Sequence, residues 1–175
     1  APADPAHCEQ VKPQHITTIF NVLRGNCDFV VADLGKRWDP IAIQALQSAD
    51  LILLVMALDL PTLAATVRTL TLLEGLSVPR RRIRLVANRH DSAQKALETD
   101  ANSFLGHKID FRLPNDYATV TECITSGDTF QTSRPKSPIA AAYHQLSSEV
   151  HDWLGLEKPV TELHPSALKA RVQGW

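Results

Sequence analysis

Cysteine is scarce and unpaired in this 175-residue chain: Cys8, Cys27 and Cys123 are widely spaced and form no CxxC. Such an odd set excludes a disulfide framework and a zinc knuckle, and suits a reducing cytoplasm. Charge of one sign is missing too, since 18 Lys+Arg stand against 19 Asp+Glu for a net charge of -1. That balance removes any global attraction to DNA or acidic lipid. No apolar run reaches membrane-spanning length, because Leu51 to Leu58 is cut short by Asp59 and Pro61. No signal sequence opens the chain. Its only methionine is Met56, so the expectation is a processed or cut chain, or part of something longer. A phosphate-binding GxxxxGK(S/T) loop is also lacking, for the one Gly-Lys pair, Gly35-Lys36, is followed by Arg37. What is there is a globular composition, 44% hydrophobic and 21% charged, enough for one domain with a substantial core.

Four short apolar runs read as strands: Phe29 to Asp33, Leu51 to Leu58, Ile83 to Ala87 and the shorter Ile109 to Leu113. The first three are continuous rather than alternating, which predicts burial on both faces. Helical spacing fills the intervals. Ile16, Ile19, Phe20 and Leu23 share a face that stops at Gly25. Asp39-Pro40 is an N-cap with proline at the first helical position. Leu63 to Leu73 ends at Gly75, Ala93 to Leu105 at Gly106, Tyr117 to Ile124 at Gly127, and Ile139 to Leu154 at Gly155. Strand and helix alternating at this pitch predict a parallel sheet with right-handed crossovers. In such sheets ligands gather beyond the carboxyl ends of the strands. Residues 155–175 read as an appended tail with one short helix around Ser166 to Val172.

Polar residues collect at three of those strand ends. Asp33 closes Phe29-Val-Val-Ala-Asp33-Leu-Gly35, where a carboxylate either holds magnesium through water or caps the next turn. Asn88-Arg89-His90-Asp91 offers an amide for the polar edge of a purine and a guanidinium plane to stack on it; equally, it is a turn with Asp91 as a helix cap. It is also similar to the guanine-reading NKxD motif, with Arg for Lys. Pro114-Asn115-Asp116 either frames a base or starts a helix. The basic runs Lys36-Arg37 and Arg80-Arg81-Arg82 with Arg84 read as solvated surface, and His144 and His151 lie two helical turns apart, too far for one metal.

Taken in order, these segments resemble the MinD/ParA group of deviant-P-loop ATPases, and within it the TadZ/CpaE branch of Tad (Flp) pilus assembly. The family's "hDhVVhDLP" is matched by Asp28 to Gly35, and "FDPxxxxALxxAD" by Trp38 to Asp50. The Asp-Leu-Pro that opens a leucine-rich helix is matched at Asp59-Leu60-Pro61. The family's "hVhNRxD" is matched by Leu85 to Asp91, its "hPNDYxxV" by Leu113 to Val120, and its "PxSPh" by Pro135 to Ile139.

This resemblance implies an α/β, three-layer P-loop-NTPase-like (MinD-like) fold, a parallel sheet flanked by helices. It implies that residues 1–154 are the C-terminal portion of the ATPase domain, incomplete because the N-terminal strands and the P-loop are absent, and that 155–175 are a C-terminal tail. It implies ATP and Mg2+ in the intact protein, with Asp33 positioning magnesium and water, Asn88 and Arg89 at the base, and Pro114, Asn115 and Asp116 lining the adenine. It further implies a homodimer and pilus-assembly or secretion components as partners. No specific nucleic acid is implied, and the place of action is the cytoplasm, with a peripheral contact at the inner membrane's cytoplasmic face or the cell pole. ATPase activity belongs to the intact protein, since the missing loop supplies most of the charge complementarity to a triphosphate. Gly35 departs from the family's proline. Two alternatives stay open, a non-hydrolysing scaffold that recruits partners and a G-protein-like GTPase; the latter expects DxxG, whereas Lys36 stands third after Asp33.

Overall fold

Four helices in this chain begin where the oxygen of Asp39, Asp59, Asp116 or Ser137 takes up a free backbone amide, and this sets the frame between strands. Asp39 accepts from the Ala42 amide at 2.8 Å and opens α2 (Pro40–Ser48), which follows α1 (Pro13–Arg24). Asp59 accepts from the amide and hydroxyl of Thr62 and opens α3 (Leu60–Gly75) after β1 (Ile52–Met56). A single turn of 3-10 helix at Arg80–Arg82 leads into β2 (Ile83–His90), then α4 (Lys95–Leu105) and β3 (Phe111–Pro114). Asp116 opens α5 (Tyr117–Ser126), α6 (Phe130–Ser133) follows, and Ser137 opens α7 (Pro138–Leu154). Gly127 and Gly155 end α5 and α7 in the left-handed region, at φ 72° and 67°, where an L side chain would be strained. This computed structural model describes residues 11–35, 38–91, 93 and 95–156. Lys36-Arg37 and the expected helix near Ser166 lie outside the described residues.

The strands form one sheet in the order β1-β2-β3, with β2 and β3 parallel. As the middle strand, β2 is buried on both faces: Leu85, Val86 and Ala87 are 0%, 1% and 0% exposed. This is the burial expected of a continuous apolar run in a parallel sheet. Val86 packs with Phe111 and Leu113 of β3 and Ile139 and Leu146 of α7, and Val120, Phe130 and Trp153 close around that cluster. Each such side chain contributes about 1.5–3 kcal/mol by leaving water.

The chain divides into two compact units, Ala1–Ile52 with Thr71–Arg82, and Leu53–Leu70 with Ile83–Trp175. In the first, α1 and α2 pack together. Arg24 donates to the Ser48 carbonyl at 2.7 Å and to the Asp50 carboxylate at 3.1 Å, and Ala42 and Ala45 are buried. The second holds most of the sheet, with α4 to α7.

Two expectations are corrected. Phe29 to Asp33 is not a strand: it carries no ladder, and Val31 is 93% exposed. A run of strand-like composition becomes a strand only when a neighbour supplies backbone partners, and the observed sheet begins at β1. β1 is a strand, but not buried on both faces. Only one of its faces is covered: Ile52 and Met56 are buried, while Leu53 and Val55 on the other face are exposed.

The energetic weight follows this division. Replacing Leu85 by Ala is expected to cost about 2–5 kcal/mol of unfolding free energy, because no atom can collapse into the space left in a close-packed strand. Val31→Ser is expected to change stability by no more than about 0.5 kcal/mol. Urea denaturation of both variants checks this, and equal losses would contradict the assignment of the core.

Candidate functional site

Parallel pairing sends the carboxyl ends of β2 and β3 to the same edge of the sheet. The register is Val86 to Phe111, Ala87 to Arg112 and His90 to Pro114. Asn88 and Arg89 therefore stand opposite Leu113 alone, which makes a β-bulge. Arg89 takes the strain with φ at 53°, in the left-handed region that a non-glycine residue seldom occupies. The Asn88 side-chain oxygen accepts from the Arg89 amide at 2.9 Å and holds that conformation.

Past the bulge, the Asn115 amide donates to the His90 carbonyl at 3.1 Å, tying the two strand ends together. Asp116 then turns the chain into α5. Its Oδ1 accepts from the Thr119 amide at 3.4 Å, whereas Oδ2 is buried and has no hydrogen-bond partner among the described residues. Leaving a carboxylate oxygen dry and unpartnered costs free energy, so the atom is poised for a donor. These residues line an open cleft of about 500 Å³ with Asp91, Arg112 and Pro138.

The cleft wall is held by an ion-paired group. Glu98 of α4 accepts from Arg112 Nε at 2.9 Å and also from its Nη2, and it lies 3.2 Å from His90 Nε2. Glu98 is well covered, 13% exposed, whereas Arg112 is 42% exposed. The Arg112 hydrogen bond holds the Glu98 carboxyl below its ordinary range despite the opposing effect of burial, and the same bond pushes Arg112 up. One acid thus ties α4 to the ends of both β2 and β3.

The positions singled out in the sequence divide accordingly. Pro114, Asn115 and Asp116 line the cleft, and His90 and Asp91 of the neighbouring tetrad join them. Asn88 and Arg89 form the bulge and are not part of the lining. They sit inside β2 and not in a turn after it. Asp33 belongs to the first unit, is exposed, and accepts from the Gly35 amide at 3.0 Å. Gly35 lies at φ 60°, which the family's proline could not adopt, so this departure changes the backbone path beside Asp33. No group of three metal-ligating side chains gathers among the described residues. Arg112 and Glu98 were not anticipated. The one signal for them was a lone arginine inside the otherwise apolar Phe111-Arg-Leu-Pro114.

A parallel sheet flanked by helices, with its loops gathered at the carboxyl edge, is here the α/β fold of the MinD/ParA ATPases. A ParA family ATPase from Chlorobium tepidum TLS matches with a TM-score of 0.73 at 21% identity, over 88% of this chain and 60% of its own. MinD from Pyrococcus horikoshii OT3, complexed with Mg-ADP, matches with a TM-score of 0.69 at 20% identity, over 87% and 62%. A MinC:MinD complex from Aquifex aeolicus gives 0.66 at 18% identity, over 87% and 63%. The chain thus spans a little over 60% of the length of such structures. No family model and no curated relative matches it. No helix among the described residues is long and apolar enough to cross a membrane.

The depressed Glu98 pKa gives the wall a pH signature. A carboxyl held below its ordinary value of 4.5 contributes stability above that value and loses it as pH falls through the folded-state pKa. Glu98→Gln is expected to cost about 1 kcal/mol at pH 7, a modest figure because Arg112 is partly screened by solvent. The difference from wild type should shrink below pH 4.5. Denaturation at pH 7 and at acid pH checks this, and a pH-independent difference would contradict it.

Proposed function

We propose that this chain is part of an ATP-binding MinD/ParA-like protein, and that the cleft at the ends of β2 and β3 takes the nucleobase. The observation that carries this is the buried, unpartnered Asp116 Oδ2 in a cleft built by the Asn115–His90 closure. An exocyclic amine is a donor suited to that oxygen, and the Pro114 ring and Arg112 guanidinium offer flat surfaces for a heterocycle. The fold supports the reading, and so does the Mg-ADP bound to the Pyrococcus horikoshii MinD.

In this reading Pro114, Asn115 and Asp116 contact the base, while Asn88 and Arg89 shape its approach through the bulge. Asp33 positions magnesium and water in the intact protein. When bound, the metal supplies charge neutralisation at the phosphates. The order of sequence motifs supports a member of the TadZ/CpaE branch, acting as a homodimer in localisation or assembly of a Tad (Flp) pilus or secretion machine. Its place of action is the cytoplasm or the cytoplasmic face of the inner membrane, at the cell pole. The MinC:MinD complex supports partner binding by this fold. ATP hydrolysis belongs to the intact protein. The GTPase reading is less well supported. It rests on Asn88 to Asp91 and expects DxxG, whereas Lys36 stands third after Asp33, and it gives no role to Pro114-Asn115-Asp116.

With no phosphate-binding loop in these 175 residues, the triphosphate has nothing to grip. Adenosine and ATP are therefore expected to bind the chain weakly and within about threefold of each other, with dissociation constants near 1 mM. Titration of each, followed by amide chemical shifts at His90, Asn115 and Asp116, measures this. Micromolar ATP affinity, or shifts elsewhere only, would refute it.

A further inference from the structure

We infer that Glu98 is a specificity-determining residue that keeps the cleft selective for an uncharged heterocycle and closed to phosphate. The inference rests on reading the cleft as a nucleobase site and concerns what that site rejects. Arg112 is the only arginine or lysine lining the cleft among the described residues. Arginine grips phosphate through the paired donors of its planar fork. In this protein the Nε–Nη2 edge of that fork is taken up by the Glu98 carboxylate, which also balances the guanidinium charge and leaves one paired edge, Nη1–Nη2, instead of two.

The same carboxylate also engages His90, the other lining residue able to carry positive charge. What remains around the opening is acidic. Asp91 and Asp116 both line it, and each spends one oxygen on a backbone amide, of Ala93 and Thr119 respectively. The Asp116 carboxylate, beside a guanidinium whose charge Glu98 balances, disfavours a phosphate group, whereas a neutral ring meets no such repulsion.

Glu98 stands outside the lining, so it acts through Arg112 and His90 and not by touching the ligand. Its position on α4 lets it brace the cleft wall from behind, with its carboxylate largely covered. Removing its charge should release the arginine fork into the cleft while leaving the backbone that shapes the cleft in place. Besides the Glu98 tie, that backbone is held by the Asn115–His90 bond and by the capping of α5, hydrogen bonds in which the Glu98 side chain takes no part.

The test titrates adenosine and inorganic pyrophosphate separately into the 175-residue wild-type chain, Glu98→Gln and the double variant E98Q/R112Q, reading amide shifts near the cleft. The wild type is expected to respond to adenosine and not to pyrophosphate. Glu98→Gln should gain at least about tenfold in pyrophosphate affinity, and the double variant should lose that gain. Resonances of Leu85 to Ala87 report that each variant is folded. Should Glu98→Gln fail to fold, Glu98→Asp, too short to engage both arginine nitrogens and His90, should gain about threefold. A folded Glu98→Gln with no gain, or a wild type that prefers pyrophosphate, overturns the inference. Failure of adenosine to bind the wild type would overturn the nucleobase reading and with it the selectivity for a heterocycle, whereas the pyrophosphate gain of Glu98→Gln tests the masking of Arg112 on its own.

Discussion

One backbone hydrogen bond, from the Asn115 amide to the His90 carbonyl, makes a site out of two loops that are 25 residues apart in sequence. It can form only because β2 and β3 run parallel and end together. They run parallel because α4 carries the chain back along the sheet between them. The bulge at Asn88 and Arg89 adds the last adjustment, slipping the register by one residue so that His90 meets Pro114. A strained arginine conformation is the cost of that alignment.

The chemistry of the cleft is mostly a matter of which polar groups are already engaged. Asp116 gives one oxygen to α5 and keeps the other dry, and Arg112 gives its fork to Glu98. Capping thus uses only one of the two oxygens, and the proposed base contact calls on the other, so the two readings of Pro114-Asn115-Asp116 do not compete for the same atom. The Glu98 pair is a modest contributor to stability, because half of it is bathed in solvent. Its larger effect is on the charge that a ligand meets.

Much of this was legible in the chain. The caps at Asp39 and Asp116 and the glycine stops at Gly127 and Gly155 are local chemistry, decided within a few residues. β2 is legible because a central strand needs apolar residues on both faces. Phe29 to Asp33 as a strand, and the burial of β1 on both faces, do not hold for the same reason: composition reports suitability for burial, and burial itself depends on a neighbour. α6, one turn at Phe130–Ser133, is too short to show a period. The Glu98–Arg112 pair joins α4 to β3, and no local pattern reveals a contact of that range. Asp33 is the converse case, a residue prominent in the motif order whose proposed role depends on groups beyond its own turn.

The account stands or falls on the closure between the two loops, and amide hydrogen exchange on the 175-residue chain tests it most directly. If the Asn115 amide is bonded to His90, it should exchange at least about a hundredfold more slowly than an open-loop amide, within reach of the protection at Leu85 to Ala87. An Asn115 amide that exchanges at the rate of an unstructured peptide would leave the two loops unjoined and contradict the account.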